Sequence, residues 1–460
     1  MSVTTDFSTL ALSNEQLATL KTLKYEQMTP VQAQSLPAIL AGEDVIAQAQ
    51  TGSGKTAAFA LGLLARLNPA HFGVQALVLC PTRELAEQVA DEIRRLARSQ
   101  ANIKVLSLCG GVPARAQAQS LQHGAHVIVG TPGRVLDHLN QQRIHFNQLQ
   151  TLVLDEADRM LDMGFQEELD QIIAATPKSR QTLLFSATFP AQIEGMTQSL
   201  MRSPKHVVVE QAPLENNIEQ VFYEISSDSR EDAVIQLLLE RNPSNAILFC
   251  NTKRETHALF TTLHNYGFSV QALHGDLEQR DREQTLLQFN NGSTRILVAT
   301  DVAARGLDIK GLDMVLNVAV AHDVDTHIHR VGRTGRAGET GVAITLLTAA
   351  DEYKFRLLQD AMPAPLTPLR LPAPSPQPSR PEAAAMVTIH IMGGKKDKLR
   401  PGDIVGALTR SGAIDFDSVG KITVQSINSY VAIKKDKAKL ALSSLNNDKM
   451  KGRRFKARLL

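Results

Sequence analysis

Apolar runs of strand length alternate with longer helical stretches as far as residue 347. ALVLC (76–80), KVLSLCG (104–110), HVIVG (126–130), TLVLD (151–155) and TLLFS (182–186) are apolar in continuous runs rather than at every second position. A strand with one wet face alternates, whereas a strand covered on both faces does not. The pattern therefore predicts the central strands of a parallel sheet with helices on either side, a doubly wound α/β arrangement. It recurs after residue 217 in AILFC (246–250), SVQALHG (269–275), RILVAT (295–300), MVLNV (314–318) and GVAITLL (341–347). Two similar lobes are expected, residues 1–209 and 217–362, joined by the polar stretch from Glu210 to Asn217.

Between Pro363 and Pro381 eight of 19 residues are proline, so neither helix nor sheet is expected to run through residues 363–385. Such a segment is an extended, semi-rigid linker. Strand-like runs return in VTIHIM (387–392), KITV (421–424), SYVAI (429–433) and RFKARL (454–459), with helical patterns around Pro401 to Leu408 and Lys437 to Leu445. Residues 386–460 are thus predicted to form a small α+β module.

Composition changes this picture only in the tail. With 460 residues, 43% hydrophobic and 21% charged, the chain has material for two or three cores, which excludes collagenous and wholly disordered classes. The start, MSVTTDFSTL, has no basic stretch before an apolar core, and no apolar run reaches membrane-spanning length. A cytoplasmic protein is expected. Cys80, Cys109 and Cys250 end apolar runs without metal-ligand spacing, which predicts reduced, half-buried thiols. Residues 386–460 hold 16 Lys and Arg against 6 Asp and Glu, net +10, while the remainder holds 33 against 41, net −8. A basic module on a mildly acidic body points to a polyanion partner.

Two segments carry phosphate chemistry. After the strand-like VIAQ, the run AQTGSGKT (Ala49, Gln50, Thr51, Gly52, Ser53, Gly54, Lys55, Thr56) places a glycine-rich turn at the start of a helix. Backbone N–H groups there, with the helix dipole behind them, bind phosphate oxygens. Lys55 should reach the outer phosphates and the Thr56 hydroxyl should ligate Mg²⁺. DEAD (155–158) ends the run TLVLD, where parallel sheets present ligand groups. Asp155 can hold the Mg²⁺ shell and Glu156 can orient and deprotonate a water. NTP hydrolysis, with ATP and Mg²⁺, is the implied reaction.

HRVGRTGR (329–336) supplies His329, Arg330, Arg333 and Arg336 from the second lobe. Arginines brought across a cleft can neutralise charge growing on a transferred phosphate, or they can pair with acids of their own lobe. Because the phosphate loop and these arginines lie in different lobes, hydrolysis would require the lobes to close.

At these residues the chain resembles a DEAD-box RNA helicase. AQTGSGKT, PTRELA (81–86), Gly110 with Gly111, TPGR (131–134), DEAD, SAT (186–188), ARGLDI (304–309) and HRVGRTGR stand in the family's order. The resemblance implies two RecA-like domains followed by an RRM-like domain, an RNA-dependent ATPase, and local strand separation without long-range translocation. It makes KYEQMTPVQ (24–32) the adenine-reading segment, with Gln32 on the base edge and Tyr25 or Phe7 stacked on the ring; Lys24 stands where the family usually has glycine. It gives Asp308 the ribose, makes Arg333 and Arg336 the arginine fingers, and makes Ser186, Thr188 and His329 couplers of hydrolysis to RNA.

Small polar residues and turns suit sugar-phosphate contacts. In the first lobe these are Thr82, Arg83, Gly110, Gly111, Thr131, Gly133 and Arg134; in the second, Asn251, Thr252, Gly275, Gln279, Arg282, Thr300 and Gly306 match the family's RNA-contacting segments. GGKKDKLRPGDIVGAL (393–408) and KGRRFKARLL (451–460) resemble the tail of a bacterial branch that recognises a large-subunit rRNA hairpin in ribosome assembly. Aromatics that would stack bases are mostly missing: Thr388 and Asn428 occupy stacking positions and Tyr430 is the best remaining ring. The basic loops, with Lys395, Lys396, Lys398, Arg400, Arg453, Arg454 and Lys456, are the expected RNA grip. No obligate protein partner is expected, and the chain should be a monomer. An ATP-dependent clamp or scaffold that does not unwind is the competing reading.

Overall fold

The computed structural model describes residues 5–49, 52–209, 218–304, 309, 311–335, 340–362, 365–374, 380–410 and 412–460. They form two compact units, the first seven-stranded sheet with its helices and the second seven-stranded sheet together with the C-terminal domain.

In the first unit β1 (Val45–Gln48), β2 (Ala76–Leu79), β3 (Val105–Leu108), β4 (Val127–Gly130), β5 (Thr151–Asp155), β6 (Gln181–Ser186) and β7 (Lys205–Val208) lie in the order β3-β4-β2-β5-β6-β1-β7. Every neighbouring pair is parallel. Successive residues of one strand enter different cores: Val78 packs with Phe59 and Phe185 on one face, Leu77 with Leu152 and Leu154 on the other. Both sides of β2 are therefore apolar, which is why its hydrophobicity is continuous.

The second sheet contains β8 (Ile218–Glu224), β9 (Ala246–Cys250), β10 (Val270–Leu273), β11 (Ile296–Thr300), β12 (Met314–Asn317), β13 (Gly341–Leu347) and β14 (Leu369–Arg370). Its order, β10-β11-β9-β12-β13-β8-β14, repeats that of the first sheet strand for strand, again all parallel. The proline-rich stretch departs from expectation here, because β14 lies within it and pairs with Tyr223 and Glu224. An edge strand needs ladder partners on one side only, so prolines beside it do no harm. Leu371 then packs on the core of this lobe and Gln236 donates to the Pro372 carbonyl at 2.8 Å.

The C-terminal domain is the expected α+β module. β15 (Met386–Ile391), β16 (Val419–Val424), β17 (Ser429–Lys434) and β18 (Ala457–Leu459) form an antiparallel sheet ordered β16-β17-β15-β18. Helices Pro401–Thr409 and Ala438–Asn447 join its core, in which Ile389, Ile391, Val431 and Ile433 meet Ile404, Leu408 and Leu445.

All three cysteines are free and buried rather than half-buried. Burial pushes the thiols of Cys109 and Cys250 up to about 12, which leaves them protonated and unreactive. Among the described residues no helix is long and apolar enough to cross a membrane.

Candidate functional site

The pairing of β1 with β6, and of β6 with β5, sets three motifs side by side at the carboxyl edge of the first sheet. Gln48 lies opposite Ser186 and Asp155 opposite Phe185. The Ala49 N–H donates to the Ser186 carbonyl at 3.0 Å, so the phosphate loop leaves the sheet beside SAT. Gly52 and Gly54 take φ of +84° and +95°, in the left-handed region. Lys55 opens helix Lys55–Arg66 and is buried, its Nζ donating to the Ala49 carbonyl at 2.8 Å. Thr56 follows, half-buried, in the first turn.

Gln32 is held against this loop. Its amide accepts from the Thr29 N–H at 2.9 Å and donates to the Gly54 carbonyl at 3.0 Å. Lys24 adopts φ +61°, the left-handed region that a residue with a β-carbon disfavours. Tyr25 is half-buried: its hydroxyl donates to Glu92 at 2.6 Å, Arg95 lies 5.7 Å from its ring centroid, and Phe7 meets it edge-on at 6.3 Å. Burial, then Glu92, pushes the phenol up to about 12.

Asp155 is buried, and its Oδ1 has no hydrogen-bond partner. Burial pushes the carboxyl up to about 7 against the pull of the Lys55 ammonium, with Glu156 adding to the rise. An orphaned carboxylate oxygen of this kind fits a divalent cation. Among the described residues no three His, Cys, Asp or Glu side chains gather to hold a metal, so a cation here would complete its shell with the Thr56 hydroxyl, phosphate oxygens and water. Glu156 sits at φ +53°, a left-handed non-glycine residue beside the phosphate loop. Asp158 accepts from both the Thr188 N–H (3.1 Å) and hydroxyl (2.9 Å), which ties the end of DEAD to SAT. Ser186 is buried, with its Oγ unpartnered.

The predicted RNA-facing residues of the first sheet also converge. Arg83 reaches the Gly110 carbonyl at 3.5 Å, and Arg134 donates to Val112 and Gln117, each at 2.9 Å. Thr82 and Thr131 start helices Arg83–Leu96 and Pro132–Asn140. Gly111 has φ +73°, whereas Gly110 and Gly133 lack positive φ and a Cβ on either would meet no atom within 4 Å. The fold itself does not require glycine at those two positions.

In the second lobe Arg330 is 1% exposed. It grips Asp301 through two nitrogens at 2.6 and 2.7 Å, donates to the Ala319 carbonyl at 2.7 Å and to Asn251 at 2.9 Å, and lies 5.1 Å from the Phe249 ring centroid. Within the arginine cluster, this member pairs with an acid of its own lobe. His329 and Arg333 flank it, half-buried. Asn251 also donates to the Val320 carbonyl at 3.0 Å; Thr252 caps helix Lys253–Tyr266; Gln279 bonds Glu283 at 3.3 Å; Arg282 donates to the Ala303 carbonyl at 2.7 Å; the Thr300 hydroxyl accepts from Ala303 at 3.4 Å. Gly275 lies 3.5 Å, measured from a built Cβ, from the Lys253 side chain.

The C-terminal domain gathers its two basic segments at one end. The Met392 N–H donates to the Lys456 carbonyl at 2.8 Å, and the Lys395 and Lys396 N–H groups to Gln425 and Ser426 at 2.8 and 2.9 Å. Gly393 lies so close to Phe455 that a Cβ would sit 2.3 Å from its ring. Exposed Lys395, Lys396, Lys398, Arg400, Arg453, Arg454 and Lys456 are thereby brought onto neighbouring loops, with Arg453 3.8 Å from Asp397. Tyr430 is not available for stacking: it is 5% exposed and lies flat against His390, centroids 5.0 Å apart, while His390 bonds Asn428 at 2.9 Å.

The DEAD/DEAH box helicase family matches residues 29–196, the helicase conserved C-terminal domain residues 229–338, and the DbpA RNA binding domain residues 388–459. The ATP-dependent RNA helicase DbpA of Escherichia coli (strain K12) is 50% identical over 457 residues, 99% of this chain and 100% of that protein. The chain belongs to the DEAD-box ATP-dependent RNA helicases. This DEAD-box helicase is also 42% identical over 358 residues to CshA of Bacillus subtilis (strain 168), covering 78% of this chain and 72% of that protein. Dbp5 of S. cerevisiae, bound to RNA and ADP BeF3, superposes with a TM-score of 0.73 at 30% identity, over 80% of this chain and 96% of that one. The helicase is of the DbpA type, with an RNA-binding domain after its two RecA-like domains.

Gln50, Thr51, Gly306, Asp308 and Arg336 lie outside the described residues of the helicase. Sequence reasoning missed Gln117, which is buried and accepts from both Arg134 and His138 at 2.9 Å, and it passed over Asp158 although it is the last letter of DEAD.

Proposed function

We propose that this DEAD-box helicase opens short RNA duplexes locally while its C-terminal domain holds it on a hairpin of large-subunit rRNA during assembly of the large ribosomal subunit. The observation that carries the targeting is the collection of Lys395, Lys396, Lys398, Arg453, Arg454 and Lys456 on adjoining loops. Six cations on neighbouring loops suit a folded RNA backbone better than a single strand's bases.

In the catalytic step Lys55 exchanges the Ala49 carbonyl for the β- and γ-phosphates, and Gln32 reads the adenine edge with Tyr25 beside the ring. Thr56 and the Asp155 carboxylate hold Mg²⁺, which when bound neutralises phosphate charge. Glu156 takes the proton of the attacking water. Arg333 and Arg336 neutralise the γ-phosphate as the lobes close, and Asp308 holds the ribose. The Asp158 to Thr188 bridge is well placed to carry the state of the site into SAT, with Ser186 and His329 as further couplers. Thr82, Arg83, Gly110, Gly111, Thr131, Gly133 and Arg134, and in the second lobe Asn251, Thr252, Gly275, Gln279, Arg282, Thr300 and Gly306, hold the RNA backbone. The helicase works in the cytoplasm as a monomer.

Crosslinking the full-length Glu156→Gln protein to RNA in cells, then sequencing the bound fragments, tests the assignment. Enrichment of one large-subunit rRNA hairpin is expected, and an even spread over cellular RNA overturns the targeting.

A further inference from the structure

Helix Ala114–Leu121 buries one side chain, and that side chain is polar: Gln117, 8% exposed. A short helix on a sheet ordinarily turns an apolar residue inward. Here the amide has three partners instead. Its Nε2 donates to the Cys109 carbonyl, and its Oε1 accepts from Arg134 Nη1 and His138 Nε2, all at 2.9 Å. Arginine can only donate, which fixes the end of the amide that is oxygen. The histidine agrees. Its Nδ1 faces Arg143, another pure donor, at 3.5 Å, so the ring proton sits on Nε2, toward Gln117. Burial, then Arg143, holds the imidazole below its ordinary pKa and keeps it neutral.

Cys109 and Arg134 belong to two separate candidate RNA contacts. Cys109 follows β3 and leads straight into Gly110 and Gly111, the second of which takes φ +73°. Arg134 stands in TPGR, one turn before His138 on helix Pro132–Asn140, so both donors reach the amide from one helix face. Arg134 makes its bonds to Gln117 and to the Val112 carbonyl through Nη1 alone. Among the described residues its Nη2 and Nε carry no hydrogen bond, and that edge of a guanidinium can fork onto two phosphate oxygens.

We propose that Gln117 is the positioning residue of the first lobe's RNA grip. Its amide nitrogen pins the entry to the glycine pair while its carbonyl aims Arg134, so one side chain sets the distance between two contacts to the sugar-phosphate backbone. The inference rests on the RNA-contact reading above and deepens it: Gly110, Gly111 and Arg134 touch RNA, whereas Gln117 acts through them.

Full-length variants in the ATPase stimulated by poly(A) test it, since a homopolymer offers the C-terminal domain no hairpin. Gln117→Met fills a similar volume without a hydrogen bond. It should raise the poly(A) concentration for half-maximal stimulation about tenfold, the worth of one bond to a charged group, with kcat at saturating RNA held within about twofold. Arg134→Ala should cost about as much. Because Gln117 works through Arg134 the two losses overlap, and the double variant should lose no more than about thirtyfold, against about a hundredfold for independent sites. Gln117→Glu keeps the acceptor for Arg134 and gives up the bond to Cys109; it should lose about threefold, and it carries the test if Gln117→Met does not fold. Losses that simply multiply overturn the proposal, as does an unchanged Gln117→Met or Gln117→Glu beside a weakened Arg134→Ala. An unchanged Arg134→Ala instead removes Arg134 from the RNA surface, and the contact reading fails together with the proposal.

Discussion

The side-chain amide of Gln32 donates to the Gly54 carbonyl at 3.0 Å, so the segment proposed to read adenine and the glycine-rich loop are one hydrogen-bonded piece. A built Cβ on Gly54 would sit 2.6 Å from that same amide nitrogen. Gln32→Glu sets a carboxylate against the carbonyl. It is expected to raise the KM for ATP about tenfold, roughly the loss of one charged-site hydrogen bond. Gly54→Ala adds strain at φ +95° and should bring the same loss with a lower melting temperature. ATP titration of the RNA-stimulated ATPase checks both.

Asp155 should reveal its burial through pH. In the unfolded chain its carboxyl ionises near 3.9, and in the folded protein at about 7. The folded state therefore binds the extra proton, so this group's stability penalty grows as pH rises through that interval and is full above it. Asp155→Asn should abolish turnover yet raise the nucleotide-free melting temperature at pH 8 by several degrees, with about a third of that gain at pH 5. Differential scanning calorimetry at the two pH values reads the difference.

Buried Arg330 pairs with Asp301, 13% exposed, and losing the arginine leaves a largely desolvated carboxylate uncompensated. Arg330→Ala is expected to destabilise the second lobe by about 3–5 kcal/mol. Arg330→Lys should rescue little, since an ammonium cannot fork across both carboxylate oxygens. Hydrogen exchange should show the loss in β9, β11 and β12 and spare the first sheet.

At Gly133 the needs of the fold and of the proposed RNA contact can be told apart. It sits in helix Pro132–Asn140 with room for a methyl group, so Gly133→Ala should leave stability unchanged or raise it by up to about 1 kcal/mol. RNA-stimulated ATPase should nonetheless fall about tenfold, because the methyl occupies the approach of a sugar-phosphate backbone. Unchanged stimulation would remove Gly133 from the RNA surface.

His327 is buried, stacked on Phe222 at 6.0 Å, and burial, then Arg330, depress its pKa to about 4. Below the ordinary value of 6.5 the unfolded chain takes up a proton that the folded one refuses, so stability falls as pH drops from about 6.5 toward 4. His327→Gln should flatten that slope in urea titrations at pH 7, 6 and 5.

The strands most legible in the sequence were those covered on both faces. TLVLD, AILFC and GVAITLL match β5, β9 and β13 residue for residue. β7 and β8 escaped because the first exposes all but Val207 and the second mixes Glu and Gln among its apolar residues, so neither forms a continuous run. The phosphate loop and DEAD were readable because their chemistry is local. Arg330 was read only as one of two roles, since choosing between them needs Asp301 and Ala319, which meet it only in the folded lobe. The burial of Thr388 was invisible for the same reason: its partners stand nearly a hundred residues upstream.

The shared strand order of the two sheets makes their loops comparable position by position. Superimposing the permutations sets β8 on β1, so the loop Ile225 to Ser229 falls on the phosphate loop, yet it carries serines and Asp228 where the first lobe has glycines and Lys55. Two sheets of one topology are thus chemically unequal at this edge: only the first carries a glycine-rich turn with a lysine behind it.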